Sequence, residues 1–410
     1  MIKNWLKNIG PGPLIAAAFI GPGTVTVSTL AGVDFGFALL WAMLLSIVAT
    51  IVLQEMSARL GIITQKGLSE IIRTEIKNPV FKFLAILLIL SAIVIGNAAY
   101  EAGNITGGVL GLETIVGNPS LNIGGFSINV LSIIIGAIAF VLLYLGNYKI
   151  LEKALITLVT LMSFAFLITA IITKPNILDL LKGVFIPQFP KDSLLTIIAL
   201  IGTTVVPYNL FLHASLVKEK WQSESDLKYA RKDTIIAVVL GGLVSMCIII
   251  SAASIKDLQI NNAADLAKGL EPLFGSFAKY FLAIGLFAAG ITSAITAPLA
   301  AAFVASGCLG WSTNMKAKKF RAVWMFILIL GIVFSSLGMK SIEIIKFAQV
   351  ANGILLPVIA GFLIWIMNKK SILGDYKNNM KQNIFGFIIL GISILLSLAT
   401  LSKVFGLNLF

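Results

Sequence analysis

The chain has little charge: Asp, Glu, Lys and Arg make up 12% of its 410 residues, about half the share in a soluble domain. It has one histidine, His213, and two cysteines, Cys247 and Cys308, each inside an apolar run. That inventory excludes a zinc-type cluster and a disulfide scaffold. Hydrophobic residues, by contrast, are 58% of the chain, and the mean hydropathy is +0.99. A helix crossing the hydrocarbon layer needs about 20 mostly apolar residues, so there is room for about ten to twelve spans and little else. A cytosolic enzyme, a secreted scaffold and a peripheral helix are excluded. The composition predicts an all-α, polytopic membrane protein.

Eleven apolar segments are expected, at 13–33, 37–58, 80–110, 128–146, 153–173, 193–217, 234–254, 276–307, 321–339, 343–367 and 383–402. The longest hydrophilic loops are 59–79, 218–233 and 255–275, and none divides the chain, so one transmembrane domain over 1–410 is expected. The net charge of +13 reads as topology. With the N-terminus in the cytoplasm, alternate loops place 22 of the 31 Lys and Arg residues inside, as the positive-inside rule requires. The odd span count then leaves the C-terminus outside. Met1–Ile9 reads as a cytoplasmic cap rather than a cleaved leader, and a bacterial-type plasma membrane is the expected location. Because the basic residues follow the loops of one leaflet, a nucleic-acid partner is not expected. The expected partners are the bilayer and a transported ion or small solute.

Two spans are interrupted. The first carries Gly21-Pro22-Gly23-Thr24, and the sixth carries Pro207 within Thr203-Thr204-Val205-Val206-Pro207-Tyr208-Asn209. Proline removes a donor and glycine loosens a helix. Breaks at matching places in successive five-span blocks point to an inverted-repeat transporter with a midplane site; two ordinary proline kinks are the alternative. The repeats would cover about 13–173 and 193–367, with an extra helix at about 383–402.

Several longer motifs carry a resemblance. Gly10-Pro11-Gly12-Pro13-Leu14 through Gly36, Leu53-Gln54-Glu55-Met56-Ser57-Ala58-Arg59-Leu60-Gly61, Gly183-Val184-Phe185-Ile186-Pro187 and Pro207-Tyr208-Asn209-Leu210-Phe211-Leu212-His213-Ala214-Ser215 occur in order. They are followed by Gly285-Leu286-Phe287-Ala288-Ala289-Gly290, by Ala348-Gln349-Val350 and by Leu356-Pro357. Together they resemble the Nramp family of proton-coupled divalent metal transporters over nearly the whole chain. The resemblance implies a LeuT-type 5+5 inverted repeat with an added eleventh helix. It also implies site residues, and several differ here. The family's Asp-Pro-Gly-Asn motif supplies two metal ligands from span 1, where this chain has Gly21 and Thr24. The methionine ligand of span 6 is Val206, and the histidine after its proline is Tyr208. The span 3 aspartate of the proton route aligns with Ala98, while Glu101 aligns with the neighbouring glutamate. Asn209, His213 and Gln349 match.

Gly21 and Val206 remove both the formal charge and the soft sulfur from such a site, which disfavours the family's usual coordination of Mn²⁺ or Fe²⁺. What remains is neutral and polar: backbone groups at the breaks, the hydroxyls of Thr24, Thr203 and Tyr208, and the amides of Asn209 and Gln349. This set suits a hard, largely hydrated cation such as Mg²⁺, or a small polar or zwitterionic solute held by half-helix ends. Any metal would sit near Gly21, Thr24, Val206, Asn209 and Gln349.

Glu101, inside a span, either binds a coupling proton or cation or serves as a polar tie between helices. His213, four residues after Asn209, reads either as a coupling or gating group or as one interhelical hydrogen bond. Gln349 either reaches substrate or bonds a neighbouring helix. Glu55 and Arg59, at i and i+4, form a structural or gating pair. Gly103, Gly107 and Gly108 fit close packing of span 3 against its neighbours. No nucleophile–base pair, phosphate-cradling loop or metal triad is present, so neither an enzyme nor a cofactor is expected. A non-transporting sensor or scaffold with this fold is a further alternative.

Overall fold

A computed structural model describes residues 20–123, 126–146, 149–255, 260–337 and 339–406. The N-terminal cap and the first part of span 1 lie outside the described residues. The helices are α1 (Pro22–Phe35), α2 (Leu40–Thr64), α3 (Leu68–Glu75), α4 (Pro79–Val116), α5 (Val130–Leu145), α6 (Lys149–Ile172), α7 (Ile177–Phe185), α8 (Leu194–Thr204) and α9 (Pro207–Lys220). They continue with α10 (Leu227–Ala252), α11 (Ala263–Ala267), α12 (Glu271–Phe274), α13 (Ala278–Leu309), α14 (Lys318–Ser336), α15 (Ser341–Met367), α16 (Lys370–Leu373) and α17 (Met380–Phe405). Two short antiparallel strands, β1 (Ser120–Ile123) and β2 (Phe126–Asn129), join α4 to α5.

Among the described residues, nine helical stretches are long and apolar enough to cross a bilayer, counting α8–α9 as one broken stretch. They correspond to nine of the expected segments. The fourth falls on α5, a 16-residue helix, and the first is described only from Ile20, its second half forming α1. Local chemistry sets several helix ends. Asn78 accepts from the Val80 and Phe81 N–H groups and Pro79 occupies the first turn of α4, where its missing donor costs nothing. Gly117, at φ +78°, ends that helix, so span 3 runs past the expected 110. The loops are also more helical than expected: α3 lies within 59–79, α10 begins at Leu227, and α11 and α12 lie within 255–275.

The packing follows the two-repeat pattern. The first four spans pack against their counterparts five spans later: α1 on α8, α2 on α10, α4 on α13, and α5 on α14. The α4–α13 seam is the most extensive and is made of small residues. A methyl group placed on Gly290 would stand 2.7 Å from the Gly108 backbone, so only glycine permits that approach.

The structure also brings together loops that the charge count assigns to one side. Arg73, before span 3, donates to the carbonyl of Gly307 in the last turn of span 8, and Arg321, in the first turn of span 9, donates to that of Tyr144 in the last turn of span 4. At the opposite end, Trp41 donates to Gln188 and Lys403 pairs with Asp192.

Candidate site at the two helix breaks

The helix starts that follow the breaks of spans 1 and 6 are built alike. Gly21 precedes α1 in an extended conformation (φ −84°, ψ 176°) with Pro22 in the first turn. Val206 precedes α9 in an extended conformation (φ −74°, ψ 119°) with Pro207 in the first turn. Neither helix start has a side-chain cap. Each proline accepts the start of a helix but cannot continue one from before it, and the unbonded N–H groups of each first turn face the break. Gly23 thus corresponds to Tyr208, and Thr24 to Asn209.

Thr24 and Thr203 join the two broken spans directly, with hydroxyls 2.7 Å apart. Span 10 closes over them. A Cβ on Gly23 would stand 2.2 Å from Gln349 Nε2, and one on Gly202 would stand 1.9 Å from the Gln349 carbonyl oxygen. These two glycines therefore admit Gln349 between the broken spans. From span 3, Gly107 lies against Pro22, where a Cβ would meet the proline ring at 2.0 Å. Tyr100 meets the Tyr208 ring edge-on, with centroids 5.4 Å apart.

Thr24, Thr203, Val206, Tyr208, Asn209 and Gln349 are all buried. Yet both amide atoms of Asn209, Gln349 Oε1 and Asn352 Nδ2 have no hydrogen-bond partner among the described residues. A buried polar atom left unpaired costs about 1–3 kcal/mol, so such atoms concentrated at a break mark a place built to receive something polar. Asn352 and Tyr100 were not expected at the site. Asn352 lies three residues after Gln349, on the same face of α15, and that spacing was the available signal.

The remaining candidates lie around this core. Glu101 is fully buried in α4, with Oε2 at 3.5 Å from Asn104 Nδ2 and Oε1 unpaired. Its stem packs on Gly331 of α14, where a Cβ would come within 2.3 Å of Glu101 Cγ. No described Lys or Arg forms an ion pair with it. His213 hydrogen-bonds through Nδ1 to Gln54 Oε1 of α2, while its Nε2 is buried and unpaired.

Glu55 and Arg59 form the expected pair at 3.1 Å, as part of a larger network. Glu55 also pairs with Arg231 of α10 at 2.8 Å. Arg59, 2% exposed, donates to the Tyr376 carbonyl at 2.8 Å, Asn378 Oδ1 at 2.7 Å and Gln382 Oε1 at 3.2 Å. Tyr376 Oη in turn donates to Glu224. The pair therefore ties spans 2 and 7 to the segment between spans 10 and 11. Removing the carboxylate from a buried ion pair typically costs about 3–5 kcal/mol. Glu55→Ala is expected to fall at the lower end, because carbonyl and amide oxygens still hold Arg59; thermal unfolding in detergent measures this.

The donors at the breaks are neutral oxygens and nitrogens. Among the described residues, no three His, Cys, Asp or Glu side chains are grouped so as to hold a metal ion. A family profile described as "Natural resistance-associated macrophage protein-like" matches residues 12–403. The chain belongs to the Nramp family. Over 418 residues it is 28% identical to the divalent metal cation transporter MntH of Bradyrhizobium diazoefficiens, a match covering 98% of this chain and 90% of that protein. Its fold is similar to that of the Eremococcus coleocola manganese transporter, with a TM-score of 0.76 at 20% identity, covering 98% of this chain and 87% of the other. MhsT, solved in complex with L-phenylalanine, shares the fold at a TM-score of 0.62 and 16% identity, over 95% and 97% of the two chains. This Nramp chain is an integral, multi-pass membrane protein of the LeuT-type 5+5 inverted-repeat class. Its relatives are named as transporters, not enzymes.

Proposed function

We propose that this Nramp protein carries a divalent cation across the membrane by alternating access, and that the ion keeps much of its water. A hard ion such as Mg²⁺ fits better than a stripped Mn²⁺ or Fe²⁺. The observation that carries this reading is the set of unpaired buried atoms at the breaks, notably Asn209 Oδ1 and Gln349 Oε1. A dehydrated metal needs lone pairs at about 2.0–2.1 Å and a compensating charge. A hydrated one presents O–H groups outward and needs acceptors, which these oxygens supply. Gly21 and Val206 contribute neither a carboxylate nor a sulfur.

In this reading Gly21, Thr24, Thr203, Val206, Tyr208, Asn209 and Gln349 form the binding place. His213 and the Glu55–Arg59 pair belong to the gating surfaces of spans 6 and 2. The repeats are taken as about 13–173 and 193–367, the N-terminus as cytoplasmic and the C-terminus as outside, in a bacterial-type plasma membrane. Glu101 supplies the coupling charge. A carboxylate unpaired in the bilayer interior is costly, so a proton or the cargo cation must answer it. Glu101→Gln is accordingly expected to flatten the pH dependence of cation flux, and an unchanged profile would leave Glu101 a structural tie.

One observation favours a second reading, a small zwitterionic solute. Asn209 leaves both a donor and an acceptor unpaired beside two half-helix starts. Uptake into proteoliposomes of Mg²⁺, Mn²⁺ and Ca²⁺, against empty liposomes, tests the proposal. Saturable Mg²⁺ flux exceeding that of Mn²⁺ is expected. Dominant Mn²⁺ flux would overturn the hydrated-ion reading, and no flux of any ion through folded protein would leave the solute reading.

A further inference from the structure

The nine-residue helix α7, between spans 5 and 6, lies outside the broken-helix site and has three distinct faces. Successive residues turn by about 100° around a helix. Leu180, Gly183 and Val184 occupy one arc and face the protein: Gly183 is buried, and the other two pack against the core. Asp179 and Lys182 form an exposed pair at 3.9 Å on a second arc. The third arc carries Ile177, Leu178, Leu181 and Phe185, which are 67%, 61%, 46% and 68% exposed. Helix formation does not require this apolar arc, since Asn176 already caps the start through its side chain.

We infer that α7 is an interfacial helix that lies in the lipid headgroup–acyl boundary, with this third arc in the bilayer. The order of faces around the helix, protein then lipid then water, is the order met by a helix lying at the rim of a membrane protein. The position of α7 agrees. Trp41, at the start of α2, donates from its indole to the Gln188 carbonyl at 3.0 Å, and its ring lies 5.0 Å from that of Phe189. Lys403, in the last turn of α17, is 3.0 Å from Asp192. Both contacts lie where spans end, at the side opposite the loops that carry most of the Lys and Arg residues. The apolar arc therefore continues the lipid-facing surface of the bundle at its edge.

The placement has a mechanical consequence. A Cβ on Gly183 would stand 2.2 Å from the Phe37 carbonyl oxygen, so α7 rests directly on the turn between α1 and α2. Lipid at this boundary thus bears on the turn that leads out of α1, the second half of the first broken span.

The partner is a bilayer surface, and the test reads depth rather than transport, so its outcome is independent of the cargo. Nitroxide labels are placed at Leu181→Cys, Phe185→Cys and, as a water-face reference, Lys182→Cys; the native Cys247 and Cys308 are buried. In proteoliposomes of mixed zwitterionic and anionic lipid, collisional relaxation by oxygen and by a soluble nickel chelate is compared. The oxygen-to-nickel ratio is expected to be several-fold higher at 181 and 185 than at 182. Equal ratios at all three positions would place α7 in water and overturn the inference. So would spin–spin broadening at 181 and 185, which would mean that a second copy covers the arc.

Discussion

Gly202→Ala is expected to be the most damaging single methyl addition among the site's glycines. The new Cβ would stand 1.9 Å from the Gln349 carbonyl oxygen and 2.7 Å from the Gly353 N. Both are backbone atoms of α15 and have no rotamer with which to retreat. The contact is reciprocal, because a Cβ on Gly353 would meet the Ile198 carbonyl oxygen at 2.7 Å. Relief requires α8 and α15 to move apart, drawing Gln349 out of the cleft beside Gly23 and straining the Thr24–Thr203 hydrogen bond. Overpacking of a tight core costs about 1–3 kcal/mol, and a clash between two backbones should reach the top of that range. Gly391→Ala is the control: nothing lies within 4 Å of its would-be Cβ, and alanine favours helix over glycine by about 1 kcal/mol. Thermal unfolding of the two variants should move in opposite directions. Equal melting points would mean that the α8–α15 seam is looser than these distances imply.

Gly23→Ala makes an instructive contrast. Its clash is with the far end of the Gln349 side chain, which can swing away. The fold survives that change, and the loss falls on the amide that the site uses. Two glycines, one on each broken span, therefore differ in kind, one serving the packing and the other the chemistry.

Much of this was legible in the sequence because it is local. Pro22 and Pro207 announce their breaks through missing donors, the Glu55–Arg59 spacing announces a pair, and the alternation of basic loops announces which loops share a side. What escaped was either short or distant. Helices such as α3 and α7 hold too few residues for a hydrophobic period to stand out from loop sequence. Span 3 was ended early because Glu113 and Thr114 break the apolar run, although Asn129 caps the Glu113 carboxylate with a 2.8 Å hydrogen bond and the helix continues to Val116. Arg231 as the second partner of Glu55, and Gln349 as the neighbour of Gly23, join residues far apart along the chain. No local pattern encodes such pairings; the inverted repeat creates them when span 10 folds back over span 1.

The double variant Gly21→Asp, Val206→Met is expected to raise Mn²⁺ affinity by at least tenfold, about 1.4 kcal/mol. Both positions immediately precede a first-turn proline and both are extended, so each can present a new side chain without changing the backbone. Aspartate is a preferred residue at such a position, where it accepts from first-turn N–H groups and meets the positive end of the helix. It should therefore supply the missing cap of α1 as well as the missing charge. Methionine at 206 adds a thioether, which Mn²⁺ tolerates better than Mg²⁺ does. Its bulk must be absorbed, because Val206 is only 1% exposed, so the Gly21→Asp single variant is measured alongside. Calorimetric titration in detergent separates the contributions. If charge alone limits the native site, the single variant gains for Mn²⁺ and Mg²⁺ alike, and only the double variant separates them. No gain in either would mean that the two breaks do not open on a common cavity, and the hydrated-ion site would then have to be sought among the amides of α15.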